Sequence, residues 1–346
     1  MQDDSRDLLG FTEPAQRDET ANLRDRGILN QPTIRDVIML KITMMLGSFD
    51  RLLGKSNMAQ AIDVARIVDQ AGLYAIAIGE HVSLSSSLEG YPYEGGLRYG
   101  DAGRKPYLEP VALHGSFAAA TARVKLSHCV MLAPLRPAVL LAKQLATIDV
   151  LSRGRLQPVF GTGWSRDEYA SLNVDFNKRR QILRDNIAVC RALWEEQPTT
   201  FRSETVSFEG LFSMPQPVQK RIPILLAAKA NEKNATLVAE LCDGWETGPD
   251  DSKSLDKLKK GVQIYRQALA AAGRDPNELI VKSHLIPQRS EQGELDWDKT
   301  FSNVLAMLEA GVTEFACAMP IGIKAPMSLD EIARFMDQLA SKAKQF

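Results

Sequence analysis

Short, apolar, β-rich runs alternate with amphipathic helical stretches from Lys41 onward, and this alternation limits the possible folds more than any other feature. The runs fall at Lys41–Leu46, Tyr74–Ile78, Val124–Met131, Gln157–Phe160, Ile222–Leu226, Gly244–Thr247, Leu279–Leu285 and Glu314–Ala318. A nearly unbroken apolar run such as Tyr74–Ile78 suits a parallel strand buried on both faces. Between the runs, Met58, Ile62, Ala65 and Val68 share one helical face behind an expected N-cap at Ser56. Leu141, Leu145 and Ile148 follow Pro137, and Leu183, Ile187, Cys190 and Trp194 line a third helix. Ser328 and Glu331 have the spacing of a capping box ahead of Ile332, Phe335 and Leu339. Eight strands alternating with helices over 346 residues predict an α/β chain folded as a (β/α)8 TIM barrel, in preference to an open doubly wound sheet.

Two segments exceed ordinary connections. Val82–Leu108, after the second strand, is rich in Ser, Gly and Tyr, and Gln197–Gln219, before the fifth, has room for a small hairpin. Residues 1–36 hold eight acidic and five basic residues without a sustained period. The expected organisation is therefore a poorly ordered tail over 1–38 and a barrel over 39–346, with Met39 as an alternative natural start. The formal charge of -1 gives no reason to expect nucleic acid or an anionic membrane as partner. No apolar run approaches the ~20 residues that cross a bilayer. Four scattered cysteines without a CxxC pair argue against a disulfide framework and point to a reducing, cytoplasmic setting.

In a parallel barrel, chemistry sits at the carboxyl ends of the strands. The second strand ends in Gly79-Glu80-His81, the third contains Ser127-His128-Cys129-Val130, and the fourth runs into Gly161-Thr162-Gly163-Trp164, with Glu168 beyond. The fifth leads to Lys229, Asn231 and Asn234, and the sixth carries Asp243-Gly244-Trp245-Glu246. His81 is the sharpest candidate, because an imidazole exchanges a proton near neutrality; a backbone-bonded loop histidine is the alternative. Gly161 and Gly163 offer close backbone approach to a ligand. Lys229 and Asn231 stand where a helix N-terminus favours a phosphate, and a solvated helix start explains them equally well. His128, inside a strand, reads as a core histidine. No ligand spacing suggests a metal, and no Gly-x-Ser-x-Gly elbow suggests hydrolysis, which leaves an organic cofactor to carry the difficult chemistry.

The run from Leu135 to Leu156, with Lys143-Gln144-Leu145-Ala146-Thr147-Ile148-Asp149 and Ser152-Arg153-Gly154-Arg155, resembles the luciferase-like monooxygenases. Gly161-Thr162-Gly163-Trp164, Gly79-Glu80-His81-Val82, Asp243-Gly244-Trp245 and Tyr91-Pro92-Tyr93 continue the resemblance, which covers Lys41 to Gln338. Within that superfamily the chain looks most like the deazaflavin (coenzyme F420) oxidoreductases. The resemblance implies hydride transfer between F420 and a small organic substrate; the alternative is an FMN monooxygenase using reduced flavin and dioxygen. It also implies a non-proline cis peptide at Cys129-Val130 backing the cofactor ring, with Gly161, Thr162, Gly163, Trp164, Lys229 and Asn231 at the cofactor. His81 and Glu80 then fall at the catalytic positions, Glu80 standing where several relatives have aspartate. Many relatives have Gly-Gly and then Ser where this chain has Ala228-Lys229-Ala230-Asn231, and some dehydrogenases have Glu where it has Trp164. The implied partners are a flavin or F420 reductase and, as often in this family, a second copy in a homodimer.

Overall fold

The computed structural model describes residues 40–47, 49–85, 106–319 and 326–346. The expected tail over 1–38 lies outside the described residues, as does Tyr91-Pro92-Tyr93. The barrel strands are β1 Ile42–Leu46, β2 Ala75–Ile78, β3 Lys125–His128, β4 in two segments (Leu156–Gln157 and Val159–Phe160), β5 Leu225–Ala227, β6 Gly244–Glu246, β7 Ile280–Leu285 and β8 Glu314–Ala318. All pair in parallel, in sequence order around the ring, with β1 beside β8. Pro158 splits β4 because it has no N–H to give the ladder. The segment before it pairs with β3 and the segment after it with β5, so the same strand closes the barrel from both sides.

Among the described residues the helices include α1 Ala61–Gln70, α2 Pro110–Ala120, α3 Ala138–Leu151, α4 Arg166–Ser171, α5 Arg179–Glu195, α6 Glu232–Leu241, α7 Leu255–Ala271 and α8 Leu329–Ala343. The expected cap at Ser56 is displaced. Ser56 lies within a 3-10 turn, Lys55–Gln60, whose carbonyls supply the start of α1, so Gln60 precedes the helix without a side-chain cap. The apolar face behind it is buried as the spacing requires, through Ala61, Val64, Ala65 and Val68. Ser328 and Glu331 do form a reciprocal capping box at α8. The segment before β5 forms the expected hairpin, Thr199–Arg202 against Ser207–Leu211.

Helices and strands meet in an apolar layer. Trp245 is fully buried, stacks on Tyr265 with centroids 4.8 Å apart, and donates from Nε1 to Ala228 O at 2.8 Å. A Cβ on Gly261 would lie 2.4 Å from Trp245 Cη2, so α7 reaches this ring only through a glycine. The barrel interior, in contrast, holds a polar layer. Lys282 from β7 is fully buried, with Nζ 3.6 Å from Glu314 Oε2 and 3.9 Å from Glu246 Oε2. It donates to Ser127 Oγ at 3.3 Å and Gln157 Oε1 at 3.4 Å, while Gln157 Nε2 donates to Glu314 Oε1 at 3.0 Å. Five strands thus meet at one cation, which compensates two carboxylates removed from water.

One cation shared between two acids leaves Glu246 under-compensated. Burial pushes its carboxyl up to about 7; Lys282 opposes the rise and Glu314 adds to it. Between pH ~4.5 and ~7 the folded chain then holds a proton that the unfolded chain has released. The stability Glu246 provides is full below that window and is lost as pH rises through it, to the extent of roughly 3 kcal/mol. Denaturant unfolding at a series of pH values should show Glu246→Gln gaining on the wild type across the window. The buried histidines titrate in both proteins and cancel in the difference, and a pH-independent difference would refute the buried proton.

Candidate active site

At the carboxyl end of β2 the chain continues as Gly79, Glu80 and His81. Glu80 is buried, and both its oxygens are engaged. Oε2 accepts from the Leu132 amide at 2.6 Å, and Oε1 pairs with Arg136 Nη2 at 2.5 Å. Arg136 also pairs with Glu109 at 2.7 Å. A carboxylate so placed holds the chain after β3, a positioning role for a residue that the resemblance sets at a catalytic position.

β3 ends at His128, short of the expected Met131, and the next peptide, Cys129–Val130, is cis, as the resemblance implied. The resulting bulge is pinned from both sides. Cys129 N donates to Ile78 O at 2.9 Å, Met131 N to Val159 O at 2.9 Å, and Gly161 N to Met131 O at 3.0 Å. A Cβ on Gly161 would meet Val130 Cγ2 at 2.6 Å. The close approach foreseen at this glycine is thus to the chain's own Val130. Gly163 has φ +68°, Tyr169 Oη donates to Thr162 O, and Asn186 Nδ2 donates to Ala133 O and Arg136 O, which fixes the rest of the turn. Burial, and after it Glu246, push the Cys129 thiol well up, away from thiolate chemistry.

His81 stands beside this bulge with 16% of its side chain exposed. Its Nδ1 lies 3.0 Å from Glu168 Oε2, and the other oxygen of Glu168 accepts from Val82 N at 2.6 Å. Ser165 caps α4 and turns Glu168, three residues on, inward. The contact suits the imidazole tautomer that carries its proton on Nδ1, with a carboxylate oxygen accepting. Tyr107 and Trp164 meet the imidazole edge-on, with centroids 5.0 and 5.7 Å away. Sequence reasoning placed Glu168 near the site without recognising it as the partner of His81; the two are 87 residues apart, and only barrel closure joins them. Tyr107, Arg136 and Asn186 carried no sequence signal beyond their place in loops or helices.

Other candidates fall elsewhere. Lys229 is exposed, and Asn231 is the N-cap of α6, its side chain accepting from Asn234 N at 3.0 Å. Among the described residues neither makes a hydrogen bond or ring contact with His81. His128 is fully buried against His114, with centroids 4.5 Å apart, and burial holds both well below the usual imidazole range. Asp243 precedes β6 and so lies at the opposite end of the barrel, where it binds Arg191, Arg221 and Arg274.

Because Glu80 is the anchor of the bulge, Glu80→Gln should remove the charge that compensates Arg136 and cost about 3 kcal/mol of unfolding free energy. Equilibrium denaturation without any ligand reads this directly, and an unchanged midpoint would remove Glu80 from the role of anchor.

The family described as luciferase-like monooxygenase matches residues 41–299. An uncharacterized protein of Mycobacterium tuberculosis is 31% identical over 279 residues, covering 80% of this chain and 92% of that one. An FMNH(2)-dependent dimethylsulfone monooxygenase of Pseudomonas fluorescens is 27% identical over 187 residues, covering 53% of this chain and 50% of that one. Among solved structures, an F420-dependent secondary alcohol dehydrogenase in complex with an F420-acetone adduct superposes with a TM-score of 0.68 at 14% identity, covering 88% of this chain and 98% of that one. The family match spans most of this chain and lies on a parallel α/β barrel, so the chain belongs to the luciferase-like monooxygenase family.

Proposed function

We propose that this protein is an F420-dependent oxidoreductase that moves a hydride to or from a small organic substrate. The observation that carries the reading is the Glu168–His81 pair, which presents one proton-exchanging atom, Nε2, at the barrel mouth beside the Cys129–Val130 bulge. The residues present suit a flat heteroaromatic ring. Val130 and the Gly161–Gly163 turn offer an apolar and backbone surface, Trp164 and Tyr107 flank it, and among the described residues Glu168 is the one carboxylate paired with His81. A bound deazaflavin supplies the two electrons as hydride. Val130, Gly161, Thr162, Gly163 and Trp164 would hold the ring, with Cys129 backing it. The imidazolium form of His81 gives its Nε2 proton to a substrate carbonyl oxygen, or the neutral ring takes one from an alcohol, while Glu168 keeps Nδ1–H fixed and stabilises the imidazolium in either direction. Lys229 and Asn231 remain the family-like position for the cofactor phosphate, at the start of α6.

The second reading is a monooxygenase using externally reduced FMN and dioxygen, favoured by the 27% identity to the dimethylsulfone enzyme. In that case a flavin reductase is the partner. Titration of the protein with F420 and with FMN, followed through tryptophan quenching, separates the two. Tighter F420 binding supports hydride transfer; tighter FMN binding, with oxygen uptake in the presence of a reductase, replaces it with the second reading; binding of neither overturns both. Under either cofactor, His81→Ala should lower kcat by about 10²–10⁴ with cofactor affinity retained. Glu168→Gln should lower kcat by less and leave KM unchanged, whereas full turnover in His81→Ala would end the proton-transfer role.

A further inference from the structure

Phe176 carries two guanidinium groups. Arg166 Cζ lies 4.4 Å from its ring centroid and Arg179 Cζ 3.8 Å, and Arg180 is the next residue in the chain. Cation–π contact holds each guanidinium by its face; Arg179 has its Nε buried and its Nη1 on Phe176 O, while Arg166 is exposed. Among the described residues none of the three arginines forms an ion pair. Arg166 Nη1 reaches only Asn177 Oδ1 at 3.4 Å, and Arg179 Nη1 donates to Phe176 O at 2.9 Å. Neighbouring cations are matched, as in Lys178 with Glu204 and Arg184 with Glu240. The nearby acids are otherwise placed: Asp175 caps Asn177, Glu168 is turned in to His81, and Asp167 is exposed beside Arg166. Burial lowers the Arg179 pKa first; Tyr169 opposes this, and the charges of Arg180 and Arg166 lower it further. Three like charges are thus gathered without a counter-charge in hydrogen-bond contact.

The cluster borders the site. Arg166 opens the helix that carries Glu168 and follows Trp164 by two residues, a separation of at most ~7 Å along the chain. Phe176 packs on the small apolar cluster of Leu132, Leu135 and Tyr169, which also takes Val130 of the bulge. We infer that Arg166, Arg179 and Arg180 form an anion-binding rim for the phosphate or oligocarboxylate end of a ligand whose reactive part lies at His81. Guanidinium forks suit both anions, which they bind bidentately. The inference rests on the proposed function only for the identity of that ligand: the anion belongs either to the cofactor tail or to the substrate.

The test uses the full chain and the double variant Arg166→Gln/Arg180→Gln, which leaves the bond from Arg179 to Phe176 O in place; Arg179→Gln is the second variant. The first arm follows thermal unfolding with inorganic pyrophosphate against chloride at equal ionic strength. The second compares FMN with riboflavin, and F420 with its tail-less deazaflavin core. The rim should make pyrophosphate stabilise the wild type and not the double variant. If the anion comes from the cofactor, the wild type should also prefer the tail-bearing form, and the double variant should lose about tenfold of that preference. Loss of pyrophosphate binding alone, with the tail preference unchanged or with no flavin bound at all, keeps the rim and assigns the anion to the substrate; the absence of flavin binding counts against the proposed function instead. No specific pyrophosphate effect in the wild type, together with an unaltered tail preference in both variants, overturns the rim.

Discussion

The carboxylate of Glu168 ties the chain leaving β2 to the helix that follows β4. One oxygen accepts from His81 Nδ1 at the end of β2, and the other from the Val82 amide as the chain leaves the barrel. The residue that makes these bonds sits on a short helix after β4, which Ser165 caps and Tyr169 anchors to Thr162 O. Glu168 is almost fully buried, and its two oxygens, one on His81 Nδ1 and one on the Val82 amide, fix the orientation of the imidazole. The geometry that a proton transfer needs is therefore a consequence of how a buried acid is solvated by its own protein.

Glu80 does for the backbone what Glu168 does for the ring. Through Leu132 N and Arg136 it holds the chain that leaves β3, and Asn186 from α5 fastens the same stretch from outside. The bulge at Cys129–Val130, the glycine at 161 and the aromatic walls at Trp164 and Tyr107 lie around this framework. Beneath it the Lys282 layer joins five strands through charged and amide groups in place of the usual branched apolar ones. Registry among those strands then depends on hydrogen bonds that only one arrangement satisfies.

The later part of the recognisable stretch, from Asp149 to Arg155, works at the end of the barrel away from His81. Asp149 accepts from the Gln219 amide and side chain. Arg155 donates to carbonyls of Ala118, Thr121 and Val124, before β3 begins. With Arg153 and Gly154 at positive φ, this segment turns the chain from α3 into β4 at the amino ends of the strands. Its regularity therefore reports a common way of building the barrel, and the cofactor must be read from the opposite rim.

Much of the architecture was legible in the chain alone. All eight strands are present where apolar β runs fall between helical spacings, because burial on both faces of a parallel strand leaves a continuous signature. The capping box of Ser328 and Glu331 was legible for the same reason, since its partners are three residues apart. His81 was legible as a strand-end histidine in a fold whose strand ends face one mouth. What only the tertiary structure decided were relations across the ring: Glu168 with His81 over 87 residues, Glu80 with Leu132 over 52, and Lys282 with Gln157 over 125. The displaced cap at Ser56 belongs to the same class. Periodicity records which face of an element meets the core; it holds no record of which buried polar groups will be brought within hydrogen-bond distance when the barrel closes, and it is those contacts that make a site.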